Sequence, residues 1–401
     1  MKKLVTASAV AVFSALAACG HDDEASSSIT FTVSGENTAV TGWAFPPASG
    51  DEFAVVDGWE VRFDRILVTV DDIVLTETPD LAPTDQSQTG AVVARAKGPW
   101  AVNLAVEGKA ETPPIATASR AIRPMGGDHG AEEPTSGRGS SEDKSIRLVK
   151  LENLNLRGGA AFDAATRYGF GYRVVAASAG AKRVNLDGEA AKDYDEMVSK
   201  GWTTMYVGTA TFKGGTACKS SDPAYDWSKL PTQVKFRLGF ATPTELVNCQ
   251  NTDLTGKAFE GEEAQRGVQI DGPTFAQLTF HLEHAFWDTV DHDQAKPFFD
   301  QIAASAKNGV VTTQDLTSQD PSGFKDAEGK PLPWRSCLPD VTPKPGVRRF
   351  DSGSVPVVGA SGDPASGLRN YADFAAYQQS TMGHLNADGL CAVKRGYPSP
   401  K

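Results

Sequence analysis

The chain has 401 residues, with 39 basic and 50 acidic side chains and a net charge of −11. That balance argues against non-specific nucleic-acid binding, which relies on basic groups to neutralise phosphate, and against adsorption to anionic lipid. Hydrophobic content of 40% supports a real core, and the length suits two domains or one large β domain with additions.

Lys2 and Lys3 form a basic start, and Leu4 to Ala18 is an apolar, small-residue stretch. At about 15 residues it is short for a bilayer span and reads as a signal peptide over residues 1–18. Leu16-Ala17-Ala18-Cys19 resembles the lipobox of bacterial lipoproteins. The resemblance implies cleavage before Cys19, diacylation of its thiol and acylation of its new amino group. Membrane attachment would then come from the acyl chains, at about 0.8 kcal/mol per buried CH₂. In that family an Asp after the lipidated Cys retains some proteins in the inner membrane. Here the position is Gly20, which implies the outer membrane. Residues 19–28 are acidic and Ser-rich and read as a flexible tether.

The body, residues 29–290, reads as β. Ile29 to Val33 alternates. Trp59, Val61 and Phe63 alternate, and Ile66, Val68 and Val70 continue on the opposite phase, so a β-bulge is expected at Asp64-Arg65. Asp71-Asp72 predicts a turn before Ile73. Further strands are expected at 91–94, 100–106, 146–151, 168–175 and 205–212. Val234, Phe236, Leu238 and Phe240 alternate with polar residues or Gly and form the clearest half-buried strand. The expected fold is mainly β: an antiparallel β-sandwich or distorted barrel with a small, irregular helical C-terminal layer over 291–401 packed on it. Residues 112–144 lose periodicity and read as a mobile surface insertion. Helices are expected over Glu189 to Lys200 with Asp187 as cap, from Pro297 to a stop at Asn308-Gly309, and after a cap at Asn370.

Without Cys19, four cysteines remain: Cys218, Cys249, Cys337 and Cys391. An even count in an oxidising compartment predicts two disulfides. Sequence-near pairing favours Cys218–Cys249 and Cys337–Cys391, each worth roughly 3–4 kcal/mol on the chain-entropy model. The G-x-S-x-G, P-loop, H-E-x-x-H and EF-hand patterns are absent from the sequence.

The chemistry concentrates at 281–293, where three of the six histidines fall among four carboxylates. On a strand through 276–283, His281 and Glu283 share the polar face and can reach one ion. His284 would fall on the apolar face as a core histidine. Asp288, Asp291 and His292 fall in the following turn, which can fold them back. Two imidazoles with carboxylates suit Zn²⁺ or another imidazole-preferring transition metal. His281, Glu283 and His292 are the expected ligands, with Asp288 or Asp291 in support. His384 is a further candidate from the C-terminal layer, whereas His21 and His129 read as solvated. This cluster and the following Phe298 to Ala304 resemble a segment of Gram-negative envelope lipoproteins that carries no known activity.

The function expected from these residues is capture of a transition-metal ion, zinc, by a protein lipid-anchored to the outer membrane at Cys19. Two alternatives are an adhesion or scaffold lipoprotein, binding a glycan or envelope protein through exposed Trp227 and Trp334, and a metal-dependent hydrolase. No nucleic-acid partner is expected.

Overall fold

The computed structural model describes residues 27–47, 54–82, 84–106, 145–251, 265–289, 295–321, 323–343, 368–386 and 388–396. The expected signal peptide, Cys19, most of the expected tether, the insertion expected over 112–144, Asp291 and His292 lie outside the described residues.

The fold is mainly β, as the alternation predicts, and two sheets enclose one core. The smaller sheet runs, in spatial order, Gly389–Leu390, Gly383–Leu385, Pro273–Phe280, Ser28–Ser34 and Ile146–Leu151. The main path of the larger sheet runs Val310–Thr312, Gln233–Phe240, Thr204–Phe212, Trp59–Thr76, Arg167–Val174, Thr244–Val247 and Ala392–Arg395. Most pairs are antiparallel. Ser28–Ser34 against Pro273–Phe280 is a parallel exception, and all seven residues of Ser28–Ser34 are buried between their two neighbours. Phe31 meets Phe170 across the sandwich at 6.0 Å, and Phe280 meets Tyr172 at 6.2 Å.

Trp59–Thr76 is a single strand of 18 residues. Its register slips between Phe63 and Arg65, where the phase change in the sequence predicts a bulge, and again between Asp71 and Val74. Each slip exchanges the two faces. Trp59, Val61 and Phe63 therefore point into the same core as Ile66, Val68 and Val70, and then Ile73 and Leu75. Asp71-Asp72 is thus a second irregularity inside one strand, with Asp72 at φ 52°, and not the expected turn.

The opposite face of the larger sheet is covered by the helix Glu189–Lys200. Ala190, Tyr194 and Met197 lie one helical turn apart and pack on Leu67, Met205 and Val207. Its N-cap is Gly188 and not Asp187. Gly201, at φ 66°, ends the helix in the left-handed conformation expected of a terminal glycine. Asn370 caps the helix Tyr371–Gln379, accepting from the Asp373 N–H at 3.1 Å. All nine residues of that helix are buried.

Two expectations are corrected. The helix predicted from Pro297 begins only at Asp300 and spans Asp300–Ala303. Pro297 is instead bridged to Trp287, and the Phe298 N–H donates to the Phe286 carbonyl at 3.0 Å, which holds this stretch extended. The disulfides are Cys218–Cys337 and Cys249–Cys391, spanning 119 and 142 residues. Each doubling of loop length costs only about 0.6 kcal/mol, so the preference for short loops is weak. Strand pairing decides instead. Arg335–Ser336 lies against Lys219–Ser220, and Ala392–Arg395 lies against Thr244–Val247, which sets each cysteine beside its partner. The C-terminal quarter also contributes strands to both sheets.

A buried cluster of Asp57, Asp300 and Arg335 sits under this framework. Asp57 accepts from the Phe299 and Asp300 N–H groups at 2.9 and 2.7 Å. Asp300 takes a two-pronged contact from Arg335 at 2.7 and 2.8 Å and a hydrogen bond from Trp59 at 2.8 Å. Burial, and then the neighbouring Asp300 charge, hold the Asp57 carboxyl well above its ordinary 3.8. The folded protein therefore keeps a proton that the unfolded chain releases near the ordinary value. The contribution of this group to stability is full below that value and is lost as pH rises above it toward the folded value. Asp57→Asn should flatten that fall, as read by thermal melting from pH 4 to 8. An unchanged pH profile would contradict the assignment.

Gly208 faces Phe63 at the first bulge, where an added Cβ would lie 2.1 Å from the Arg62 carbonyl oxygen. Gly208→Ala should destabilise by about 1–3 kcal/mol. Gly272→Ala, with nothing within 4 Å, should change stability by less than about 0.5 kcal/mol. Denaturant titration of both variants checks the contrast.

Candidate metal centre

The site forms where Pro273–Phe280 ends. Gly383–Leu385 pairs with it antiparallel, placing His384 opposite Thr279. His281 follows two residues after Thr279, and its N–H donates to the Met382 carbonyl at 2.8 Å. The two histidines are therefore diagonal neighbours on one face. Their rings stack at 4.1 Å with 13° between planes.

The expected strand through Glu283 is not formed. After His281 the chain turns into a 3₁₀ segment, Leu282–Phe286. With three residues per turn, that segment brings His284 back beside His281. The two rings meet edge-on at 5.8 Å, and His284 meets His384 edge-on at 5.7 Å. One ligand nitrogen from each of His281, His284 and His384 lies within 4.8 Å of the others. The three residues are 9%, 0% and 1% exposed.

The tautomer of His284 follows from its neighbours. Its Nδ1 lies 2.8 Å from the Thr381 hydroxyl oxygen, and that hydroxyl donates its only hydrogen to the Gln378 carbonyl at 2.8 Å. Thr381 must then accept, so the His284 proton is on Nδ1 and Nε2 is the basic nitrogen of the ring. A hydrogen bond on the far nitrogen is the usual device for aiming a metal-binding imidazole. Trp287 stacks on the same ring at 3.7 Å and limits its rotation.

Around His281 stand three carboxylates. Glu283 lies 3.8 Å from Nδ1, while Glu36 and Asp388 lie 3.9 and 3.8 Å from Nε2. These distances exceed a hydrogen bond but supply negative charge beside a cation. A tetrahedral ion with metal–nitrogen bonds of about 2.0–2.1 Å needs nitrogens about 3.3 Å apart. Binding therefore requires the rings to draw together, and His281 or His384 to turn out of the stack, because ring lone pairs lie in the ring plane. The outer torsion of histidine is broad, which makes that turn inexpensive.

Of the residues expected from sequence, His281 is in the cluster and Glu283 is at its edge. Asp288 is not one of the three residues of the cluster. Its carboxylate accepts from the Lys296 N–H at 2.8 Å and its own N–H donates to the Lys296 carbonyl at 3.1 Å, which closes the base of the following loop. Asp291 and His292 lie outside the described residues. His284, expected in the core, is buried and is also part of the cluster. Comparison with protein-family models, with curated proteins and with solved structures finds no match, so the reading of this site rests on its own chemistry.

Thr381→Val keeps the volume but cannot accept from Nδ1. It should leave the fold intact and lower metal affinity about 10–100-fold, as loss of such an outer hydrogen bond does elsewhere. Isothermal titration with Zn²⁺ measures this, and wild-type affinity in the variant would refute the tautomer argument.

Proposed function

We propose that the chain binds a transition-metal ion, zinc foremost, through His281, His284 and His384, at the bacterial cell envelope, held there by lipid on Cys19. The observation that carries the reading is the meeting of three buried imidazoles from two distant segments, one with its tautomer fixed from behind. Three nitrogen donors suit Zn²⁺, copper or nickel and suit Ca²⁺ or Mg²⁺ poorly. Glu283, Glu36 and Asp388 are the nearest groups for a fourth bond or for charge balance.

Capture is favoured over hydrolysis because the imidazoles are nearly closed off from solvent, leaving little room for a substrate beside the ion. It is favoured over adhesion because neither tryptophan assigned to that role is an exposed anchor. Trp227 is half-buried beneath the Arg335 guanidinium at 4.2 Å, and Trp334 is half-buried against Phe298 at 6.4 Å. Among the described residues no helix is long and apolar enough to cross a membrane. The lipobox supports attachment by acyl chains, and Cys19→Ser should move the protein from the membrane to the soluble fraction.

The test is metal content and Zn²⁺ titration of the exported chain carrying Cys19→Ser. One equivalent is expected, with His281→Ala, His284→Ala and His384→Ala each losing it and His129→Ala retaining it. Stoichiometric binding that survives all three substitutions, or none in the parent protein, would overturn the proposal.

A further inference from the structure

His384 is supported on its outer side by a short hairpin. It pairs with Leu390, and Leu385 pairs with Gly389. The same hairpin carries Asp388, one of the carboxylates facing His281. The residue after Leu390 is Cys391, bonded to Cys249. Cys391 marks a corner where the chain changes sheets: Gly389–Leu390 belongs to the smaller sheet, and Ala392–Arg395 pairs with Thr244–Val247 in the larger one. Besides the disulfide, a backbone hydrogen bond from the Gln250 N–H to the Leu390 carbonyl, at 2.7 Å, ties the hairpin to the 249–250 segment. Leu390 itself is 39% exposed. Asn386 ties the turn of the hairpin to Gln277 at 2.8 and 2.9 Å and to Asn251 at 2.9 Å, so the part that depends on the covalent tie is the two-residue edge strand Gly389–Leu390, an element of the kind that opens first in a fold.

We propose that the Cys249–Cys391 disulfide governs the metal site: its reduction by a thiol or dithiol oxidoreductase loosens the hairpin beside His384 and releases the ion. This rests on the metal-binding reading above. The two sulfurs differ in access, since Cys249 is fully buried and Cys391 is half-buried. The incoming thiolate bonds to the Cys391 sulfur, the S–S bond breaks, and Cys249 leaves as a thiolate that takes up a proton. A second thiol of the reductant attacks the mixed disulfide, frees Cys391 as a thiol and leaves the reductant as a disulfide. Two electrons pass to the protein, and zinc leaves as Zn²⁺ without changing charge. Ala392–Arg395 keeps its pairing with Thr244–Val247, so the opening is local.

The other disulfide is an internal control. Cys337 lies against Gly58 and Gly214, and its N–H donates to the Val56 carbonyl, so Cys218–Cys337 braces a different corner. The experiment compares Zn²⁺ affinity of the full exported chain with that of its C249S/C391S and C218S/C337S variants. A second measurement, which needs no variant, follows Zn²⁺ release from the loaded parent protein during thiol treatment. Bond reduction is mapped by mass spectrometry and folding by circular dichroism. The expected result is a rise of about 10–100-fold in Kd for C249S/C391S, none for C218S/C337S, and release in step with reduction of Cys249–Cys391 while the far-ultraviolet signal holds. Unchanged affinity in C249S/C391S, or reduction of the bond without release, would overturn the proposal. Release only with global loss of structure would overturn it too. If the oxidised parent takes up no zinc, the metal-binding reading fails first and this inference falls with it.

Discussion

The candidate site depends on the pairing of Pro273–Phe280 with Gly383–Leu385. It joins segments about a hundred residues apart, at a chain-entropy cost of about 4 kcal/mol. Burial of the helix Tyr371–Gln379 against the 3₁₀ segment Leu282–Phe286 offsets that cost, with Tyr371, Phe374 and Tyr377 each contributing about 1.5–3 kcal/mol. The histidines therefore sit on elements fixed by the core. His281 ends a central strand, His284 rides the turn that follows, and His384 stands on the paired strand.

The same framework explains why the site is closed in. Ser28–Ser34 lies parallel to Pro273–Phe280 and continues into the helix Glu36–Thr41, which brings Glu36 to the edge of His281. Gly383 accommodates the Tyr172 hydroxyl, which would lie 2.4 Å from a Cβ there, and so allows the strand carrying His384 to lie flat on the core. The carboxylates surround His281, the most exposed of the three histidines, while Thr381 and Trp287 fix His284 from the buried side. Charge stands at the mouth of the site and rigidity behind it.

Much of the β framework was legible in the sequence because period-2 alternation is a local signal. The opposite phases of Phe63 and Ile66 identified a bulge, and the strands at 146–151 and 205–212 lie at or near their expected bounds. The site was legible only in part. Alternation through Phe280 reads straight on to Glu283, yet the chain turns at His281. The ensuing 3₁₀ turn puts His284 beside His281 and leaves Glu283 at the edge. His384 carries no local signal because its place is set by a strand pairing across a hundred residues. The disulfides illustrate the same rule, since cysteines brought together by strand register cannot be matched by spacing along the chain.

The central claim is that three imidazole nitrogens hold one ion. X-ray absorption at the zinc edge of the loaded protein tests it most directly. The account predicts a first shell at about 2.0–2.1 Å with the outer-shell scattering of about three imidazole rings. A shell with sulfur at about 2.3 Å, or one made of oxygen without imidazole scattering, would contradict it.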